Sequence, residues 1–217
     1  MKKIIFLSFI IMLLCGCYDY KELNDMSIVS GIGIDYDNGI YEVILEITNS
    51  SKNGSSTEIK TNIVSAKDST IGKAFEKVKN MTDKSVYLEH VELLVIDDDL
   101  AQTGVNKVFD YIIRDTMINS NYFVVVTPNV GDLFNTKLEN KSVSSVVVDT
   151  ISYTHDDTKI DDLDILVSKY ITGKEDIALP CVYFEDDNLL YKEIAYFNKD
   201  KMVGLVDNKM YSFLVLD

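Results

Sequence analysis

Residues 28–47 read IVSGIGIDYDNGIYEVILEI and specify a β-hairpin. Apolar side chains alternate with other residues along both halves, as they do in strands with one buried face. Asn38 and Gly39 separate the halves, and both residue types tolerate the positive φ angles that a tight hairpin turn requires. The faces predicted to be buried carry Ile28, Ile32, Ile34 and Tyr36 on the first strand, and Tyr41, Val43, Leu45 and Ile47 on the second.

Downstream of the hairpin, predicted strands and helices follow one another. Residues 49–56 are polar and predict a loop, and residues 57–65 predict a third strand. Two nearly unbroken apolar runs, at 91–96 and 122–126, are typical of strands that are buried on both faces. One amphipathic helix is predicted after a Ser69 cap and another between the two runs. Their apolar positions are Ile71, Ala74, Phe75, Val78 and Met81, then Val105, Val108, Phe109, Ile112 and Ile113.

This pattern predicts an α/β (α+β) protein in which helices cover a mixed β-sheet. The remaining helices are predicted at 130–138, 142–152 and 158–171. After Pro180 the pattern changes to short strands at 181–184, 189–197 and 202–206, followed by a short helix at 208–216. We therefore expect an N-terminal α/β domain at 17–172 and a smaller β-rich segment at 173–217, the possible start of a second subdomain.

The N-terminus has the pattern of a bacterial lipoprotein signal. Lys2 and Lys3 precede an apolar run that is too short to span a membrane as a stable helix. The run ends in LCGC at residues 14–17, which resembles a lipobox, so we predict cleavage between Gly16 and Cys17 and lipidation of Cys17. Residues 1–16 are then the signal peptide. A plain signal peptide and a short buried helix are the alternatives.

Composition and charge exclude several classes of protein. The chain has 217 residues, of which 47% are hydrophobic, and this apolar content is too high for a disordered protein. Its formal net charge of −14 disfavours nucleic-acid binding, because phosphate backbones repel that excess. The same charge disfavours contact with anionic lipid headgroups. Docking to protein is the expected alternative.

Cofactor and metal motifs are weak or missing. Residues 31–35, GIGID, lack the third glycine of a dinucleotide-binding loop, and they lie within a predicted strand whose glycine face meets a close neighbour. No cofactor is therefore predicted. Acidic clusters occur at 97–99, 155–164 and 185–187, and solvated ends of apolar elements explain them best. All candidate sets of metal ligands are weak, and the best of them is Asp157, Asp161 and Asp164.

No motif supports catalysis, so the chain is predicted not to be an enzyme. The two histidines, His90 and His155, form no zinc-binding pair, and no nucleophile elbow is present. Cys181 is interpreted as a small buried hydrophobe. Arg114, the only arginine, has two interpretations: a helix C-terminal cation with local carboxylate partners, or a fork that fixes a loop or contacts a partner.

Several segments, taken in order, resemble the spore-germination receptor C subunits, the Ger(x)C lipoproteins of endospore-forming bacteria. The first is CYDYKELND at 17–25, which runs into IVSGIGID at 28–35. The second is EHVELLVI at 89–96 with LAQTG at 100–104 and the later IRD at 113–115, and the third is AYFNKDKMVG at 195–204. The third is similar to a turn of that family.

The resemblance implies a lipid-anchored receptor component that is not an enzyme. Such proteins lie on the outer face of the spore inner membrane, held by a lipid on the residue that matches Cys17. They assemble with A-type and B-type polytopic subunits into a receptor for small nutrient germinants. The family offers no catalytic residues to transfer. Its members continue into a further C-terminal α/β domain, which is expected to be absent here because the chain ends at Asp217.

Two other functions stay open at this point. A solute-binding lipoprotein that presents a small nutrient to a permease also combines a lipobox with an α/β body, although such proteins usually need two lobes around a cleft. A lipid-anchored hydrolase is the third hypothesis, and only a loose inventory of Ser, His and Asp supports it.

Overall fold

The computed structural model describes residues 26–53, 56–114, 122–154, 163–173, 177–185 and 188–207. Its strands are β1 (Met26–Asp37), β2 (Ile40–Asn53), β3 (Ser56–Asp68), β4 (Ser85–Tyr87), β5 (Leu93–Asp97), β6 (Phe123–Thr127), β7 (Ala178–Glu185), β8 (Asn188–Asn198) and β9 (Lys201–Asp207). Its helices are α1 (Ile71–Asn80), α2 (Asp98–Thr103), α3 (Asn106–Arg114), α4 (Val130–Asn135), α5 (Val143–Thr154) and α6 (Leu163–Thr172).

All described strands belong to one mixed sheet. Its order is β3-β2-β1-β5-β6-β7-β8-β9, and the short β4 pairs with the start of β1. The central strands β1, β5, β6 and β7 are parallel, and antiparallel strands flank them on both sides. The predicted mixed sheet is therefore confirmed.

Helices cover both faces of this sheet. The apolar sides of α1, α2, α3 and α6 pack on one face around Phe75 and Phe109. The other face packs against α4 and α5 around Phe134 and Ile151. Residues 93–97 of β5 are buried throughout, as the unbroken apolar run predicted, because the strand has a helical layer on each side. The predicted fold class is confirmed.

The predicted hairpin is formed by β1 and β2. Asn38 and Gly39 have φ angles of 49° and 89°, as the turn requires. The prediction of a loop at 49–56 is wrong, because the pairing of β2 with β3 continues to Asn53 and Ser56. Ladder hydrogen bonds join backbone groups, so polar side chains did not end these strands.

A β-bulge at Ser30 changes the buried face of β1. The register shifts between Val29 and Gly31, so one extra residue of β1 enters the ladder. Val29 therefore joins Ile32 and Ile34 in the core, and the prediction that Ile28 lies on this face is wrong. The strict alternation that was assumed for residues 28–36 holds only after the bulge.

The first helix begins one residue later than predicted. Thr70 caps α1, because its hydroxyl accepts a hydrogen bond from the backbone N–H of Lys73 at 3.3 Å. Ser69 instead donates to the Asp68 carboxylate. Met81, predicted on the apolar face, is the C-terminal cap residue of α1 and is 59% exposed.

The three C-terminal strands continue the same sheet. The predicted strands at 181–184, 189–197 and 202–206 are confirmed within β7, β8 and β9. The turn between β8 and β9 contacts the junction of α2 and α3, where the Asp200 carbonyl accepts a hydrogen bond from the Val105 N–H at 2.8 Å. The division at residue 173 stays a prediction. The predicted helix at 208–216 and the first part of the one at 158–171 lie outside the described residues.

The glycine face of β1 packs tightly, as predicted, against α4 and α5. A Cβ atom added to Gly31 would lie 2.1 Å from Ser144 Oγ and 2.9 Å from the Phe134 ring. A Cβ atom on Gly33 would lie 2.4 Å from Val130. Only glycine therefore allows these two helices to approach the strand so closely.

A buried carboxylate holds the N-terminus of α5 at the same place. Glu46 of β2 is fully buried and lies opposite Gly31 in the ladder. One carboxylate oxygen accepts a hydrogen bond from the Val143 N–H at 2.6 Å. The other accepts from the Ser144 N–H at 3.0 Å, from the Ser144 hydroxyl, and from the Ser30 hydroxyl at 3.0 Å.

These contacts complete the hydrogen bonding of the first turn of α5. The Ser145 and Val146 N–H groups bind the Ser142 side chain and carbonyl at 3.1 and 3.2 Å. The Val143, Ser144 and Ser145 N–H groups, which have no partner within the helix, are thus satisfied, and the Val146 N–H makes the first i to i−4 bond of the helix. A carboxylate at this position also interacts favourably with the helix dipole. Glu46 is therefore an anchor for α5 on the sheet.

Gly31→Ala should destabilise the protein by about 1–3 kcal/mol, because the new methyl group overlaps Ser144 and Phe134. Gly204→Ala in β9 is the matched control, since a Cβ atom there meets nothing within 4 Å. Urea denaturation should place the control within about 0.5 kcal/mol of wild type. Equal stabilities for the two variants contradict the close packing.

Glu46→Gln should cost about 1–3 kcal/mol, because one carboxylate oxygen becomes an NH₂ group and a buried N–H loses its acceptor. Glu42→Gln is the control on the same face of β2. The Glu42 side chain is 19% exposed, pairs with Lys67 at 2.9 Å and accepts from the Ser65 hydroxyl at 2.6 Å. Both partners are side chains and no helix N–H depends on Glu42, so the loss should be smaller than at Glu46. A larger loss for the control in thermal or urea unfolding counts against the anchor.

Candidate functional site

A groove of about 850 Å³ lies between α1 and α3 and opens to solvent. Six charged side chains line it, four of them cationic and two anionic, so the lining has a net charge of +2. They are Lys73, Glu76 and Lys79 from α1, and Lys107, Asp110 and Arg114 from α3. We call this feature the α1–α3 groove.

Helical periodicity explains why these charges point outward. On α1, Ile71, Ala74, Phe75 and Val78 are buried against the sheet. On α3, Val108, Phe109 and Ile112 are buried in the same way. The charged residues occupy the opposite faces at intervals of three or four positions, which places them in one row on each helix.

Aromatic side chains form the base of the α1–α3 groove. Tyr41 and Tyr111 line it, and the Tyr111 ring lies 5.3 Å from the buried Phe75 ring. The Lys107 ammonium lies 5.6 Å from the centre of the Tyr41 ring. Its hydrogen bond to Tyr41 raises the pKa of Lys107, so this lysine stays charged at neutral pH.

Arg114 lies at the end of α3, where it lines the groove. Its Nη2 atom donates to Asp110 Oδ1 at 2.7 Å, one helical turn earlier, as the first interpretation of this residue expected. The Arg114 side chain is nevertheless 76% exposed, so the planar face of the guanidinium is open to solvent. Contact between Arg114 and a partner stays a prediction.

The acidic cluster at 97–99 was predicted to be a solvated end, and this description fits the exposed Asp99 but not the buried Asp97. Asp97 is only 7% exposed and caps α2, because its Oδ1 accepts hydrogen bonds from the Asp99 and Leu100 N–H groups at 3.0 and 3.4 Å. Burial, with the nearby Asp35 carboxylate as the next cause, raises the pKa of Asp97 to about 7. The helix α2 was missed because its six residues are too few to show a helical apolar period.

The other predicted site residues cannot be compared with the fold. Gly16, Cys17, Asp157 and Asp161 lie outside the described residues, and Asp164 belongs to α6, but its side chain is not described. The lipidation site and the metal candidates therefore stay predictions.

Cys181 and His90 are described. Cys181 is 1% exposed, which confirms that it is buried, and burial raises the pKa of its thiol to about 12. His90 lies exposed before β5, with its ring 5.7 Å from that of Tyr87.

Sequence reasoning named one of the six charged residues of the groove, Arg114. The signal for the others was present in the spacing of Lys73, Glu76 and Lys79 opposite the buried positions of α1. That signal shows which side of α1 faces solvent, but not which second helix lies beside it.

Among the described helices, none is long and apolar enough to cross a membrane.

Comparison with known proteins identifies the relatives of the chain. Residues 19–183 match the family model for the spore germination protein N-terminal domain. Spore germination protein KC of Bacillus subtilis (strain 168) is 30% identical over 139 residues, which are 60% of this chain and 33% of that protein. Spore germination protein B3 of the same organism is 26% identical over 140 residues, 61% of this chain and 37% of that protein.

The alignment with one solved structure, the crystal structure of the GerBC protein, covers 90% of this chain and 57% of the GerBC chain. The sequence identity is 17% and the TM-score is 0.45. The chain spans between a third and two fifths of the length of the curated relatives it matches.

Asp97→Asn should remove a pH-dependent loss of stability. Because the pKa of Asp97 is raised to about 7, the folded protein keeps a proton that the unfolded chain releases near pH 4. The free energy of unfolding of wild type should therefore fall between pH 4 and pH 7, by on the order of 2 kcal/mol after solvent screening. Asn still caps α2 but cannot ionise, so urea titrations of the variant should lack this fall.

Asp68 provides a control with the opposite sign. Its hydrogen bond to Lys77, with an N–O distance of 2.6 Å, lowers the pKa of Asp68 to about 2. That contribution is present above about pH 4 and is lost as the pH falls towards 2. Asp68→Asn should therefore lower the free energy of unfolding above about pH 4 by a constant amount, remove the fall between pH 4 and pH 2, and leave the slope between pH 4 and 7 as in wild type. A wild-type profile that runs parallel to that of Asp97→Asn from pH 4 to 7 contradicts the raised pKa.

Proposed function

The chain belongs to the spore germination protein N-terminal domain family, and from this premise we propose that it is a C-type subunit of a nutrient germinant receptor. The observation that carries the proposal is the match to the family model over residues 19–183, which includes the hairpin, both helical layers and the α1–α3 groove. Relatives whose printed names are spore germination proteins support the same role.

In this proposal the protein is held at the membrane by lipid on Cys17, after cleavage that follows Gly16. Two or more acyl chains anchor a protein stably, because each buried methylene contributes about 0.8 kcal/mol. The net charge of −14 repels the body from anionic headgroups. The domain at 17–172 and the segment at 173–217 would then stand away from the lipid on the outer face of the spore inner membrane.

The proposed role is assembly and not catalysis. The protein contacts the A-type and B-type polytopic subunits of the receptor and takes part in the response to a small nutrient. One feature of the described residues supports this: the α1–α3 groove is lined by Tyr41, Tyr111 and Arg114, and tyrosine and arginine are enriched at protein interfaces.

Germination of spores of the native host tests the proposal. Deletion of the gene should delay the loss of refractility with at least one nutrient, and Cys17→Ala should reproduce that delay and release the protein from the membrane fraction. Cys181→Ala is the matched control, because that thiol is buried and cannot carry a lipid. It should leave both fractionation and germination as in wild type.

Two results would count against the proposal. If spores with the deletion germinate normally with every nutrient tried, the chain does not act in a receptor. If free nutrients raise the melting temperature of the purified protein and no membrane subunit co-purifies with it, the solute-binding function explains the protein better.

A further inference from the structure

The α1–α3 groove differs in charge from the rest of the chain. The whole sequence has a net charge of −14, whereas the lining of the groove has two more cations than anions. The only arginine of the sequence is among them. An acidic protein that concentrates cations in a recess will attract an anionic group there and repel it elsewhere.

The cations of the groove form two facing rows. Each helix contributes a cation, a carboxylate and a second cation in order along its axis. Lys107 and Arg114 are seven residues apart on α3, which corresponds to about 10 Å along a helix. Carboxylates three residues apart on a polyproline II segment project from the same side at about 9 Å, which is close to this spacing.

The base of the groove adds apolar contact area to this charge. Tyr111 is partly exposed and packs on Phe75, so its ring is held in place. Tyrosine and arginine are enriched at protein interfaces, because they combine large contact area with directed hydrogen bonds. Arg114 makes a hydrogen bond to Asp110 through one nitrogen, and its 76% exposed guanidinium offers further donors to a second carboxylate.

We propose that the α1–α3 groove is a docking site for an acidic segment of a protein partner. This inference rests on the proposed function, in which the partner is another receptor subunit, and it adds the surface and its chemistry. A lipid bilayer is flat and cannot enter a recess of about 850 Å³ between two helices. A free amino acid would fill only a part of that volume.

A charge-reversal pair tests the groove directly. Lys73→Glu combined with Arg114→Glu places one reversed charge on each helix, and both residues are exposed, so folding should be retained. Lys137→Glu combined with Lys192→Glu makes the same change in net charge at exposed residues that do not line the groove. Circular dichroism and melting temperatures establish that both variants are folded.

The probe is a fluorescent twelve-residue peptide with a glutamate at every third position, and its glutamine counterpart is the reference. In fluorescence anisotropy at about 0.15 M salt, the groove variant should bind the glutamate peptide at least tenfold more weakly than wild type. Tenfold corresponds to about 1.4 kcal/mol, which two reversed surface contacts supply. The control variant should stay within about threefold of wild type, and binding should weaken with added salt.

The inference is overturned if wild type does not bind the glutamate peptide, or if both variants lose the same amount of binding. It is also overturned if wild type binds vesicles of anionic phospholipid and the groove variant does not. Co-purification with the polytopic subunits separates this inference from the proposed function. If wild type and the groove variant both co-purify, the receptor function stands and the groove is not the docking site. If wild type does not co-purify, the proposed function fails, whatever the peptide measurement gives.

Discussion

The carboxylate of Glu46 is the contact on which the arrangement of the sheet and one helical layer depends. It has no solvent exposure, and two backbone N–H groups of α5 and two serine hydroxyls donate to it. An unpaired carboxylate in this position would cost several kcal/mol. The helix and the strand therefore hold each other in a single relative position.

That position requires two further features of β1. The bulge at Ser30 brings its hydroxyl to Glu46, and the absence of a side chain at Gly31 leaves room for Ser144. The same bulge turns Val29 towards the opposite face, where α1 and α3 pack. The geometry around Glu46 thus influences both sides of the sheet, including the side that forms the base of the α1–α3 groove.

The sequence predicts the architecture well, because alternation, turn residues and unbroken apolar runs are local signals. The hairpin, the buried β5 and the apolar face of α1 follow from them directly. The anchor at Glu46 does not, since a glutamate in an alternating strand has the pattern of a solvent face, and its partners are 97 and 98 residues away. The α1–α3 groove is hidden for the same reason: it is defined by two helices that only the fold brings together.

The turn between β8 and β9 gives the fold a mechanical property. The Asp200 carbonyl binds the N–H of Val105, the residue whose own carbonyl begins the hydrogen bonding of α3. A Cβ atom on Gly104 would lie 2.9 Å from the Asp200 carboxylate, so the turn and the residue before Val105 are closely packed. The β8–β9 turn and the first turn of α3 are therefore coupled, because a displacement of Asp200 either carries Val105 with it or breaks this main-chain hydrogen bond.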